Sequence, residues 1–248
     1  MPSLPALAAA LALFALPGPG RAETATIAVA SNFAPTAEAL AADYGAASGD
    51  QITIASGATA KLATQIAAGA PFDAFLSADQ ATPERLGADG FALPETRFTY
   101  AVGTLVLWSA EAATDLADPK AALKAARHVA VANPDLAPYG KSAMQTIDKL
   151  GLSEDLVGRI VTAENIGQVQ GLVASGAADM GFVAGAALAG KPGGARWQVP
   201  AALHDPLTQD AILLAHGAGN MAAKGFLAYL RAPAARARIA AAGYGVGP

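Results

Sequence analysis

Short apolar runs, each ending in small polar residues and leading into a helical stripe, recur along this chain and leave few architectures open. Residues 26–30 (TIAVA) form a buried-strand run. The next stretch, SNFAPTAEALAADYGAASG, carries Phe33, Ala37, Leu40 and Tyr44 at helical spacing, with Pro35 in the first turn and Gly45 and Gly49 near the end. Residues 52–54 (ITI) predict a second strand, followed by SGATAKLATQIAAG, a glycine turn and a helix stopped by Gly69. FDAFLSAD at residues 72–79 repeats the theme, and RFTYAVGTLVLWSA at residues 97–110 predicts one long strand from its β-branched and aromatic content. VAVA (129–132) runs into NPDLAPYGKSAMQTIDKLG, whose Met144, Ile147 and Leu150 face one way. TAENIGQVQGLVASG puts Ile166, Val169 and Val173 on one stripe, and MGFVA (180–184) and QDAILLA (209–215) read as strands, the second a returning one. KGFLAYLRAPAARARIAAAGYG is helical with an interruption at Pro233. The order predicts an α/β architecture with mainly parallel sheets and ligands at the carboxyl ends of strands.

Composition removes whole classes of chemistry. A chain of 248 residues predicts one large or two modest globular units, and 53% apolar against 15% charged residues supplies a sizeable core. The net charge is −4, and no run of Lys or Arg stands out, which argues against nucleic acid and anionic lipid as partners. Cys is absent, excluding disulfides, thiolate metal sites and cysteine nucleophiles. His128, His204 and His216 are widely spaced and form no zinc-binding pattern. No metal ligand set is expected.

The amino terminus reads as an address. Residues 1–22 (MPSLPALAAALALFALPGPGRA) hold an apolar stretch, a Pro/Gly break and small residues flanking Arg21, fitting signal-peptidase cleavage after Ala22. About 13 apolar residues fall short of the roughly 20 a spanning helix needs. The mature chain would then have 226 residues, a net charge of −5 and a periplasmic, soluble existence.

Four helix entrances share one chemistry. Ser31 and Asn32, then Gly57, Ala58 and Thr59, then residues 133–140, then Glu164, Asn165 and Ile166 each lie where a strand end or loop meets a helix. A helix amino terminus presents unpaired N–H groups and about +0.5 of an elementary charge. Ser, Asn and Thr there either cap their own helix, the commoner use, or donate to an anion. Four such ends converging would hold a dianion without any cationic cluster. Gly140-Lys141-Ser142 resembles the end of a P-loop, but Asp135, Pro134 and Pro138 in the same loop argue against phosphate cradling, and Lys141 reads as a solvated first-turn side chain. An exported serine hydrolase using Ser31 or Ser56 lacks a GxSxG elbow and any histidine nearby in sequence.

AVASNF (28–33), SGATAKLATQIAAGAPFDAFLSAD (56–79), GFALPETRFTYAVGTLVLWS (90–109), NPDLAPYG (133–140) and SGAADMGFVA (175–184) together resemble the periplasmic molybdate-binding proteins of bacterial molybdate ABC transporters, in the same order and over nearly the whole mature chain. The resemblance implies a bilobed periplasmic-binding-protein fold of the type II superfamily, two α/β lobes joined by a two-crossing hinge with the ligand cleft between them. It implies a monomeric binding protein, not an enzyme, without a cofactor. Its ligand would be molybdate or tungstate, delivered to a membrane permease. By match to the family's motifs the oxyanion is held by Ser31, Asn32, Thr59, Tyr139 and Ile166, the last two through main-chain N–H groups and none through a cation. Thr59 stands where the family more often has Ser, and Ala184 where some members have a Tyr that touches the anion. The expected lobes are residues 23–101 with 211–248, and 102–210, crossing near residues 100–103 and 208–212. Another tetrahedral oxyanion, such as sulfate, is the alternative ligand.

Overall fold

The computed structural model describes residues 22–246, so the proposed leader, Ala22 apart, lies outside the described residues. Two five-stranded sheets organise the chain. The first has the order β2 (Gln51–Gly57), β1 (Thr24–Ala30), β3 (Ala74–Leu76), β10 (Leu207–Leu213), β4 (Phe98–Gly103). The second has the order β7 (Ile160–Ala163), β6 (Val129–Ala132), β8 (Met180–Ala184), β5 (Leu105–Ser109), β9 (Ala195–Gln198). Helices α1 (Ala34–Ser48), α2 (Thr59–Ala67), α3 (Ala81–Ala88), α7 (Met221–Leu230) and α8 (Pro233–Ala241) accompany the first sheet; α4 (Pro119–Ala125), α5 (Pro138–Lys149) and α6 (Ile166–Ala174) accompany the second. The molecule is the bilobed α/β architecture expected. No helix among the described residues is long and apolar enough to cross a membrane.

Strand alternation explains the layering of the first lobe. Ile27 and Val29, Ala74 and Leu76, Ala211 and Leu213 face one core with Phe33, Leu40 and Phe226, whereas Ala28, Phe75 and Ile212 face another with Leu62, Ile66 and Leu86. A sheet covered on both faces reads as continuous apolar text because successive side chains enter opposite cores. The second sheet packs against α5 and α6 through Val131, Phe182, Ile147 and Val169. Trp108 lies in that core as well.

Three expectations need correction. The sheets are mixed rather than mainly parallel: β1 pairs in parallel with β2 and β3, and β6 with β7 and β8, but β10 and β5 are antiparallel to their neighbours. Parallel partners require a crossover within one sheet, and β10 enters instead from the other lobe. The single long strand at residues 97–110 is two strands, β4 in the first sheet and β5 in the second, parted at Thr104. The chain returns to the first sheet between β9 and β10. Finally, β7 and β9 were not expected; each has only four residues, and β9 (ARWQ) is partly exposed.

Helix α5 is seated directly on the end of β6. A Cβ on Gly140 would stand 2.2 Å from the Ala132 carbonyl oxygen, backbone against backbone. Gly171, in α6, has open space around it. Gly140→Ala is therefore expected to lower stability by about 1–3 kcal/mol through overpacking. Gly171→Ala should be neutral or raise stability by up to about 1 kcal/mol, because glycine is the poorer helix former. Thermal unfolding of the two variants checks the contrast.

Candidate functional site

The four helix entrances form a closed ring. Strand β1 lies beside β2, and at their carboxyl ends the Ser31 N–H donates to the Gly57 carbonyl at 3.0 Å, joining the starts of α1 and α2. In the second lobe β6 lies beside β7, and the Asn133 N–H donates to the Ala163 carbonyl at 2.7 Å, joining the approaches to α5 and α6. Two contacts close the ring between lobes. The Ala60 N–H in the first turn of α2 donates to the Leu136 carbonyl ahead of α5 at 3.0 Å. The Ser31 hydroxyl stands 4.0 Å from where a Cβ on Gly167, in the first turn of α6, would lie. Ser31, Asn32, Thr59, Tyr139 and Ile166 are all at this junction, the first two in the turn between β1 and α1 and the others in the first turns of α2, α5 and α6.

The entrances are short of internal partners. Phe33, Ala58 and Ala137 precede α1, α2 and α5 without any side-chain cap, although Ser, Asn and Thr are close by. At α6 the commoner use holds: Asn165 Oδ1 accepts from the Gln168 N–H at 3.1 Å. Among the described residues nothing accepts from the main-chain N–H of Asn32, Thr59, Tyr139 or Ile166. Nor does any hydrogen bond within the described residues engage the Ser31 hydroxyl. The Thr59 hydroxyl, 3% exposed as a residue, accepts from the Ala78 N–H at 3.4 Å and keeps its own proton to donate. The ring thus offers N–H and O–H donors and partial positive charge.

Cations stay at the rim. Lys61 Nζ reaches across the lobes to Glu164, 2.9 Å from Oε2, with both side chains about half exposed. Lys141 is solvated, 3.9 Å from Asp205. A groove of about 490 Å³ opens beside the ring, bounded by Thr59 and Ala60 from one lobe and Leu136 and Pro138 from the other.

One member of the site had no sequence signal beyond a lone polar pair in an apolar strand. Gln209, on β10, is fully buried at a bulge that turns it and its neighbour Asp210 to different partners. Gln209 Oε1 lies 2.8 Å from Asn32 Nδ2 and 3.1 Å from the Tyr100 hydroxyl, and Gln209 Nε2 lies 3.4 Å from the Tyr139 hydroxyl. Asp210 instead accepts from Thr99, Arg97 and Gln80. The Tyr244 hydroxyl donates to the Asn32 carbonyl at 2.6 Å. Burial pushes the phenols of Tyr100, Tyr139 and Tyr244 above the usual tyrosine range, so all three remain neutral hydroxyls. Tyr139 therefore turns its ring to the crossing between lobes and its main chain to the ring of helix starts. Ala184, at the end of β8, pairs with Leu105 and offers no polar side chain.

Known proteins resemble the chain over nearly its whole length. Residues 25–245 match the family described as bacterial extracellular solute-binding protein. The chain is 43% identical over 244 residues to a molybdate-binding protein ModA of Rhodobacter capsulatus, covering 98% of this chain and 96% of that one. A molybdate-binding protein ModA of Azotobacter vinelandii is 41% identical over 98% of both chains. The solved structure of the Azotobacter vinelandii periplasmic molybdate-binding protein superposes with a TM-score of 0.86 at 40% identity, covering 90% of this chain and all of that one. The sulfate-binding protein SubI of Mycobacterium tuberculosis H37Rv, at 18% identity and a TM-score of 0.71, shares the fold alone. The chain belongs to the bacterial extracellular solute-binding proteins.

Proposed function

We propose that this protein captures molybdate, and tungstate with it, in the periplasm and hands it to the membrane permease of an ABC transporter. The observation that carries the reading is the ring of four helix starts, at which the main-chain N–H groups of Asn32, Thr59, Tyr139 and Ile166 and the Ser31 hydroxyl have no hydrogen-bond partner among the described residues. An oxyanion without protons presents only acceptors, and such a ring presents donors. Ser31, Asn32, Thr59, Tyr139 and Ile166 are the proposed ligand shell, with hydroxyls from Ser31 and Thr59, the side-chain amide of Asn32, and main-chain N–H groups from Tyr139 and Ile166. The names of the relatives above support molybdate over other oxyanions. The protein acts as a monomer, does not bind nucleic acid and reaches the periplasm by its cleaved leader. Its lobes are residues 23–101 with 211–248 and residues 102–210, and closure on the anion is a hinge motion at the crossings near residues 100–103 and 208–212.

Selection among anions is by size. Molybdate and tungstate are nearly alike in size and charge, and donors fixed on helix starts treat them alike. Sulfate is smaller and leaves donors at strained distances, each poorly made buried bond costing about 1–3 kcal/mol. Two or three such losses give roughly 10²–10⁵-fold rejection. Calorimetric titration with molybdate, tungstate and sulfate is expected to show matched affinities for the first two and that gap for the third. Sulfate binding as tightly as molybdate would overturn the proposal.

Because the shell is uncharged, removing the rim cation should matter little. Lys61→Ala breaks an exposed ion pair worth at most about 1 kcal/mol, so molybdate affinity is expected to fall by less than about fivefold. The same titration checks it; a loss of several hundredfold would mean that Lys61 itself holds the anion.

A further inference from the structure

The buried groups around Gln209 do not match as their nearest neighbours pair them. With Gln209 Oε1 toward Asn32 and Tyr100, the single Tyr100 hydroxyl proton faces two acceptors, the Ser77 carbonyl at 3.0 Å and Gln209 Oε1 at 3.1 Å. The Tyr139 hydroxyl accepts from Gln209 Nε2 at 3.4 Å, and its own proton has no acceptor among the described residues. Asn32 Oδ1 is buried with no partner at all, although the residue is only 7% exposed. A buried carbonyl oxygen without a donor carries a desolvation penalty, and beside a bound oxyanion its lone pairs would repel.

The two ends of a side-chain amide are nearly the same size, so hydrogen-bond partners decide which end is oxygen. Exchanging the ends of both Asn32 and Gln209 resolves these mismatches and gives up only the 3.4 Å bond from Asn32 Nδ2 to the Tyr244 hydroxyl. Gln209 Nε2 then donates to Asn32 Oδ1 and to the Tyr100 hydroxyl, which passes its proton to the Ser77 carbonyl. Gln209 Oε1 accepts from the Tyr139 hydroxyl. The orphaned atom of Asn32 becomes an amine, and the bond from the Tyr244 hydroxyl to the Asn32 main chain is untouched.

We propose that Gln209 is a positioning residue of the anion site: as a donor to Asn32 Oδ1 and an acceptor from the Tyr139 hydroxyl, it holds the Asn32 amide with Nδ2 turned to the bound oxyanion. This rests on the reading of the ring as an oxyanion site. Gln209 thereby grips one ligand-shell residue from each lobe, at the strand by which the chain re-enters the first sheet. The opposite crossing strand is fitted to the same pair, since a Cβ on Gly103 would lie 2.0 Å from the Tyr139 hydroxyl oxygen and 2.9 Å from Gln209 Nε2.

The test combines molybdate calorimetry with nuclear Overhauser contacts in the wild-type protein saturated with molybdate. Gln209→Met is expected to weaken molybdate binding about 10–100-fold, and Gln209→Glu, which can accept but not donate, by at least as much. In an Asn32→Ala background Gln209→Met should cost less than about twofold, because its effect runs through Asn32. In the wild-type complex the Gln209 side-chain NH₂ protons should show contacts to the ring of Tyr100, not to that of Tyr139. Contacts to Tyr139 instead, Gln209→Glu binding within about threefold of wild type, or full additivity with Asn32→Ala would each overturn the proposal. Wild-type protein that fails to bind molybdate would overturn the functional reading itself; normal wild-type binding with Gln209→Met unaffected would overturn this inference alone.

Discussion

The structure turns on donors that the helices cannot use themselves. The first N–H groups of any α-helix lack intrahelical acceptors, and most helices cover them with a cap. Here α4, α6 and α7 do so, through Asp118, Asn165 and Asn220. At α1, α2 and α5 the cap is missing, and at each the chain has put a strand end in front of the helix. Parallel pairing of β1 with β2 and of β6 with β7 sets two entrances side by side in each lobe. Facing lobes then bring the pairs together at Ala60 with Leu136 and at Ser31 with Gly167.

An uncharged shell has consequences that a cationic one lacks. Lysine or arginine would attract any anion, with little regard for its size, and would feel every change in ionic strength. Main-chain N–H groups on packed helices are fixed in place, so a guest must fit them rather than the reverse. The neutral phenols at the crossing, kept protonated by burial, add hydrogen bonds without adding charge. Net negative charge on the whole chain is no obstacle, because dipoles act locally.

Much of this was legible in the sequence, and for identifiable reasons. The apolar runs TIAVA, VAVA and MGFVA are strands covered on both faces, and the stripes of Phe33, Ala37 and Leu40 or Ile166, Val169 and Val173 are helices facing those sheets. The four helix entrances could be named because strand-to-helix junctions are local features, and the family resemblance picked Ser31, Asn32, Thr59, Tyr139 and Ile166 from them. What escaped is non-local. Nothing in RFTYAVGTLVLWSA marks the single residue, Thr104, at which one sheet hands the chain to the other. Strand direction depends on which lobe a segment comes from, so β10 and β5 could not be assigned as antiparallel. Gln209 was invisible as a site residue because its partners, Asn32, Tyr100 and Tyr139, are 177, 109 and 70 positions away.

A crystal grown in sodium molybdate and measured at an energy where molybdenum scatters anomalously puts the central claim to its most direct trial. One strong anomalous peak is expected, enclosed by the first turns of α1, α2, α5 and α6, with the anion's oxygens within about 2.7–3.2 Å of Ser31, Asn32, Thr59, Tyr139 and Ile166 donors. A peak at the rim beside Lys61 or Lys141, with the ring of helix starts empty of molybdenum, would contradict it.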